Sequence, residues 1–173
     1  MNAPNNQSTI VSAADAREFP PFSLARLLGS VFTPTEGMKV CVLIDLENLH
    51  DVKDFAFLED DSLAVQKKAY EVFYRGLHEG VMETLGMLGG EFYAYHISGG
   101  SNLDLRDEAV QSTGREVSLE KDVYPNYDII LCISTFSATA PLTALAKEHN
   151  FLGATLHGLN DVIIASGLRV DYG

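Results

Sequence analysis

The sequence has few positively charged residues. Of its 173 residues, 12 are Lys or Arg and 24 are Asp or Glu, so the formal net charge is −12 at pH 7. So acidic a chain repels the phosphate backbone of nucleic acids and the anionic headgroups of a membrane leaflet. We therefore expect neither nucleic acid nor a membrane surface as a partner.

Long hydrophobic runs and targeting signals are also missing. No apolar run approaches the ~20 residues that a membrane-spanning helix needs. The initial segment MNAPNNQSTIVSAADAR lacks the basic start and apolar stretch of a secretory signal, and it lacks the Met-Gly start of a myristoylated protein. These features predict a cytoplasmic protein.

Cysteine is scarce. Cys41 and Cys132 are the two cysteines, and each lies inside an apolar run. No CxxC motif or Cys/His cluster accompanies them, which disfavours a disulfide or a metal pair. We expect both to be small buried hydrophobic residues in a reducing compartment.

What the sequence does contain is an alternation of strand and helix patterns. Apolar runs predict strands over 38–46, 91–98, 127–134 and 151–156. Periodic apolar spacing predicts helices over 23–32, 62–88, 142–149 and 161–167, with a weak helical signal over 105–111. Gly89 and Gly90 are expected to end the long helix.

This alternation predicts a single α/β domain over 19–173, preceded by a flexible, polar N-terminal arm over 1–18. The domain should contain a Rossmann-like, mostly parallel sheet with helices on both faces. In such sheets, ligands bind beyond the carboxyl ends of the strands. That rule selects the loops over 45–50, 98–102, 134–139 and 157–161.

Side chains in three of these loops form the predicted peptide-binding set: Asp45, Glu47, Asn48, His50, Ser134, Thr135, Phe136, His157 and Asn160. The acidic loop at 45–50 has three interpretations. Its carboxylates and imidazole are suitable ligands for a divalent cation or an amine. They also suit a polar strand end that binds only water, or a loop that binds a partner.

The familiar catalytic motifs are missing. The segment 99–102, GGSN, is not part of a GxGxxG motif, and no serine in the hydroxyl-rich loop 134–139 lies in GxSxG. None of the five histidines belongs to an HExxH, HxH or HxxxH pair. The sequence therefore predicts a protein that is not an enzyme and holds no metal or cofactor.

The last third of the chain resembles the end of the N-terminal domain of the thermophilic aminopeptidase family (aminopeptidase T). The matching features are a strand at 128–131, a Ser/Thr-rich loop at 134–139, a helix at 142–149, a strand and Gly-containing loop at 154–158, and the closing residues Val170, Asp171 and Tyr172. The resemblance covers about half of the chain, and the middle, 50–125, matches poorly.

In that family the metal-binding and catalytic residues lie in a second domain after the VDY stretch, so the resemblance carries over no catalytic residue. It implies an accessory domain, similar to the peptide-binding accessory proteins of crocagin-type ribosomal-peptide biosynthesis. The expected partners are a precursor peptide, a second copy of the chain in a homodimer, and modifying enzymes of the same pathway. The alternatives are a small metal-assisted hydrolase that uses Asp45, Glu47, His50 and His157, a structural subunit of a larger complex, or a domain that binds a small molecule.

Overall fold

Eight strands form one sheet in a computed structural model that describes residues 10–12, 24–157 and 161–166, the first and last of these ranges as backbone. The strands are β1 (Ile10–Ser12), β2 (Lys39–Leu46), β3 (Leu88–His96), β4 (Glu108–Gln111), β5 (Glu116–Ser118), β6 (Ile129–Ser134), β7 (Leu152–His157) and β8 (Asp161–Ser166). Their order in the sheet is β1-β8-β7-β6-β2-β3-β4-β5.

The four central strands are parallel. In the register, Val42 of β2 lies opposite Phe92 of β3 on one side and Leu131 of β6 on the other, and Leu131 lies opposite Ala154 of β7. The outer strands pair antiparallel. All six residues of β6 are buried, as expected for a strand covered on both faces.

Helical segments cover both faces of the sheet. They are α1 (Leu24–Leu27) with a wider turn over Leu28–Phe32, tight turns over Leu49–Glu59, α2 (Ala64–Lys68) continuing through wide turns over Ala69–Tyr74 and Leu77–Val81 into α3 (Met82–Leu85), short turns over Leu119–Val123 and Tyr124–Asn126, and α4 (Thr139–His149). In the part of the chain described here, no helix is both long and apolar enough to cross a bilayer.

The core has two halves, because alternate residues of β2 point to opposite faces. Val42 and Ile44 pack with Phe73 beneath the α2–α3 segment. Leu43 packs with Leu142 beneath α4. The predicted α/β, Rossmann-like single domain with helices on both faces is thus confirmed.

The predicted end of the long helix is wrong. The helix ends at Leu85, where Gly86 adopts a left-handed conformation (φ 69°) as its C-cap. Gly89 and Gly90 instead lie inside β3. A Cβ atom at Gly89 would stand 2.7 Å from the Val40 carbonyl oxygen, next to a register shift between β2 and β3. This glycine permits the close approach of two strands. In the sequence alone, a glycine that follows a helical pattern cannot be told from a helix stop.

Two predicted helices are strands. The weak helical signal at 105–111 falls on β4, which forms a hairpin with β5 around Gly114 (φ 96°). The predicted helix at 161–167 is β8, which pairs antiparallel with β7. In both cases neighbouring-strand pairing outweighs local helical spacing, and Val162, Ile163 and Ile164 are β-branched residues that favour strands.

The N-terminal arm predicted over 1–18 includes β1, which pairs with β8, and its other residues lie outside those described. The closing residues Val170, Asp171 and Tyr172 also lie outside them. Both cysteines are buried free thiols, as predicted. Burial raises the pKa of the Cys132 thiol to about 12.

Candidate functional site

The loops that follow β2, β3 and β6 meet at the carboxyl end of the sheet. The chain leaves β2 toward β3 on one side and later returns to β6 on the other side of β2. The point where the strand order reverses therefore lies between β2 and β6, which is where sheets of this class open a crevice for ligands. The side chain at that point is Asp45.

Asp45 is 1% exposed, and its carboxylate accepts hydrogen bonds from the chain itself. Oδ1 accepts from Gln66 Nε2 at 2.7 Å and from the Thr135 N–H at 2.9 Å. Oδ2 accepts from the Thr135 N–H at 3.0 Å and from the Phe136 N–H at 3.4 Å. The carboxylate thus joins β2, α2 and the loop after β6.

Burial raises the pKa of the Asp45 carboxyl above its ordinary value, and the hydrogen bonds from Thr135, Gln66 and Phe136 oppose that rise. Gln66 is itself buried, and its Nε2 also contacts the Asp45 carbonyl oxygen at 2.9 Å and Thr135 Oγ1 at 2.8 Å. A carboxylate so enclosed stabilises the loop and does not face solvent.

The other candidates from the loop at 45–50 separate from Asp45. Glu47 is exposed. Asn48 begins the turns over Leu49–Glu59, because its Oδ1 accepts from the His50 N–H at 3.2 Å. His50 points toward the β4–β5 hairpin, with Nε2 3.7 Å from Glu116 Oε2. The structure therefore does not gather Asp45, Glu47 and His50 into one site.

The loop after β6 is well held. Ser134 is fully buried and donates from Oγ to the Phe136 carbonyl oxygen at 2.6 Å. Thr135 is exposed and Phe136 is partly exposed. Asn102 fastens the neighbouring loop to this one, since its N–H donates to the Ser137 carbonyl oxygen at 2.7 Å. Two of the predicted loops thus converge, 98–102 and 134–139.

His157 ends β7 and lies opposite Asp161 in the antiparallel pairing with β8. Its Nδ1 is buried and has no hydrogen-bond partner among the residues described. Asn160, the remaining predicted site residue, lies outside the described ranges. The peptide-binding role assigned to the nine side chains stays a prediction.

A cavity of about 530 Å³ lies beside the hairpin, at the carboxyl end of β3. It is lined by Leu49, His50, His96, Asp107, Glu108, Ala109, Val110, Glu116, Val117, Ser118 and Asp122. Of these, only His50 belongs to the predicted set. Most of the others belong to the β4–β5 hairpin, which was not predicted because 105–111 gave only a weak helical signal, although Gly114 between two short alternating segments is a hairpin signal.

The position of this cavity depends on the turns over Leu49–Glu59. The Asp54 N–H donates to the Ser112 carbonyl oxygen at 2.9 Å, which ties the turns to the hairpin loop. Phe55 packs against the rings of Tyr70 and Phe92, with ring centres 4.8 and 5.4 Å away. These contacts hold His50 opposite Glu116.

Four carboxylates line the cavity, but two of them serve the backbone. Asp107 accepts from the Glu120 N–H at 2.9 Å, and Asp122 accepts from the Ser118 N–H at 2.8 Å. Glu108 and Glu116 are exposed, and Glu108 lies 3.3 Å from Arg106. The wall of the cavity is therefore negatively charged and suits a cationic group.

The β5 strand ends the sheet on this side. The N–H of Gln111 donates to the Arg115 carbonyl oxygen, and the N–H of Leu119 donates to that of Asp107. Because hydrogen-bonded pairs alternate along an antiparallel ladder, the N–H and C=O of Glu116 face outward. The cavity and this outward-facing backbone share Glu116.

Within 24–157, no group of three His, Cys, Asp or Glu side chains is arranged to hold a metal ion. Comparison of the chain with protein-family models, with curated proteins and with solved structures found no match.

Proposed function

We propose that this chain is a non-catalytic protein that binds an extended, basic peptide along the outer edge of β5. The observation that carries the proposal is the combination of an outward-facing strand edge with an acidic cavity directly beside it. Strand addition gives affinity through backbone hydrogen bonds, and an adjoining pocket gives selectivity for a side chain. Lysine or arginine suits this pocket, because Glu108 and Glu116 line it.

The charge of the edge favours a basic peptide over a second copy of the chain. Antiparallel pairing of β5 with its own copy would bring the Glu116 carboxylates of both copies to the same interface, in molecules that each carry −12. Like charges across a strand pair are destabilising. A homodimer through another face would leave this edge available to the peptide.

The biological setting remains part of the proposal. A precursor peptide of ribosomal-peptide biosynthesis is the proposed occupant, with modifying enzymes of the same pathway as further partners. The resemblance to the aminopeptidase T family supports that setting. The chemistry of the edge adds that the bound segment is extended and positively charged.

The test uses fluorescence anisotropy with a labelled ten-residue peptide of alternating Val and Lys, and a second peptide with Glu in place of Lys. We expect the Lys peptide to bind and the Glu peptide to fail. Glu116→Gln should weaken binding about 2–5-fold, the size of one exposed ion pair. Glu116→Pro should weaken it further, because proline also removes the outward N–H.

The comparison of Glu116→Pro with Glu116→Gln isolates the backbone contribution. Asp104→Asn is the matched control, since Asp104 is exposed and does not line the cavity. Equal binding of both peptides would refute the charge argument. Equal affinity of the Gln and Pro variants would refute strand addition at β5.

A further inference from the structure

The carboxyl ends of β2 and β6 bring together a set of hydrogen-bond donors that converge on one carboxylate. The donors are the N–H groups of Thr135 and Phe136 and the side-chain amide of Gln66, at 2.7–3.4 Å from the Asp45 oxygens. In protein sites that bind carboxylate or phosphate, the oxygens accept hydrogen bonds from donors of this kind, adjacent backbone N–H groups and side-chain amides. In this chain the acceptor is a side chain of the protein itself, Asp45.

These donors are positioned by contacts that do not involve the Asp45 carboxylate. The two N–H bonds of Gln66 Nε2 are shared among three acceptors, the Asp45 carboxylate, the Asp45 carbonyl oxygen and Thr135 Oγ1, so two of these contacts remain when the carboxylate is removed. The backbone at Phe136 is held by the hydroxyl of Ser134 at 2.6 Å. Loss of the carboxylate therefore leaves the donors close to their present positions, around a space the size of the missing group.

We infer that this set of donors is an oxyanion-binding site that the chain fills with its own Asp45 carboxylate. In the natural sequence Asp45 excludes phosphate and carboxylate ligands from the place where sheets of this class bind them. When the side chain is shortened, the site takes a free carboxylate of matching size. The inference does not depend on the peptide-binding proposal, because the β5 edge lies on the other side of β3.

The proposed site predicts that each shortened variant binds the anion that matches the group it has lost. Asp45→Ala keeps the Cβ atom and lacks only the carboxylate, so formate fits. Asp45→Gly lacks the Cβ atom as well, so acetate fits. At ten times its dissociation constant, the matching anion should raise the Tm of its variant by about 3–6 °C relative to chloride at equal ionic strength.

Wild type and Asp45→Asn serve as controls, because a side chain fills the space in both, and neither should respond beyond chloride. Acetate should stabilise Asp45→Ala several-fold less effectively than it stabilises Asp45→Gly. An equal response of wild type and variants would overturn the inference. So would folded Ala and Gly variants that respond to neither anion.

A measurement on the natural chain covers the case in which neither variant folds. The amide proton shifts of Thr135 and Phe136 should change together with the Asp45 carboxyl carbon shift as that group titrates in NMR spectra. The exposed Asp104 supplies the reference titration. Thr135 and Phe136 amide shifts that stay constant while Asp45 titrates would overturn the inference.

Discussion

Replacement of Gly89 by alanine tests the packing of β2 against β3. Gly89 has φ +90°, and an added Cβ atom would meet the Val40 carbonyl oxygen at 2.7 Å and the Val40 nitrogen at 3.2 Å. Real Cβ atoms do not approach backbone atoms so closely, so the strands would have to separate. Gly37 provides the matched control, because it has the same φ of +90° and nothing within 4 Å of its added Cβ atom.

The two variants separate conformational strain from steric overlap. Alanine in a left-handed conformation costs about 1–2 kcal/mol, and the lower entropy of the unfolded chain offsets about 0.4–1 kcal/mol of that. Gly37→Ala should therefore destabilise the protein only slightly. Gly89→Ala adds an overlap in the middle of the sheet, where overpacking costs about 1–3 kcal/mol more.

Urea unfolding followed by circular dichroism measures this difference. The slope of the free energy of unfolding against urea should be unchanged in both variants, and the midpoint should fall further for Gly89→Ala. Equal midpoints for the two variants would refute the assignment of Gly89 as a close-approach residue. A lower midpoint for Gly37→Ala than for Gly89→Ala would refute it as well.

Two further predictions concern buried polar groups. Asp45→Asn should lower the free energy of unfolding by about 1–3 kcal/mol relative to Asp104→Asn, because its amide N–H would face Gln66 Nε2 or the backbone N–H groups of Thr135 and Phe136. Denaturant unfolding measures this, and an equal cost at both positions would contradict it. Folding raises the pKa of Cys132 from 9.0 to about 12, so an unfolded chain loses this proton first. The contribution of the buried Cys132 thiol to the free energy of unfolding should be complete below pH 9 and be lost as the pH rises toward 12. Cys132→Ala should reduce the fall in stability over that range, and an unchanged fall would contradict the assignment.

The central strands and the helix after β6 could be predicted from the sequence because local pattern and tertiary position agree there. The runs that became β2 and β6 are apolar along their length, and burial on both faces requires that composition. The helix α4 ends at His149, and its C-cap Asn150 adopts the left-handed conformation common after helices (φ 63°).

The elements that were predicted wrongly depend on partners far away in the sequence. Gly89 resembles a helix stop until β2 is known to pass beside it. The segment that forms β4 has one buried residue on each face, Ala109 and Val110. It therefore lacks the alternation of apolar and polar residues that identifies a strand in a sequence. Its strand conformation comes from pairing with β3 and β5.

The sequence predicted where Asp45 and Thr135 lie in the sheet and not how they interact. The rule for strand ends places Asp45 and Thr135 at the same edge of the sheet, and the structure brings them into contact. Sequence alone does not show that β6 lies next to β2, so it does not show that backbone N–H groups enclose the Asp45 carboxylate. The cavity beside the hairpin was missed because its hairpin was missed.

The hydrogen bond from the Ser118 N–H to Asp122 has a consequence for the solubility of the protein. Sheets grow into fibrils by adding strands to an edge that offers an unbroken row of donors and acceptors. Here one donor of a three-residue edge, the Ser118 N–H, is already occupied by a side chain, and the other outward-facing residue of the strand, Glu116, is charged. The edge is therefore too short and too interrupted to template the stacking of identical chains.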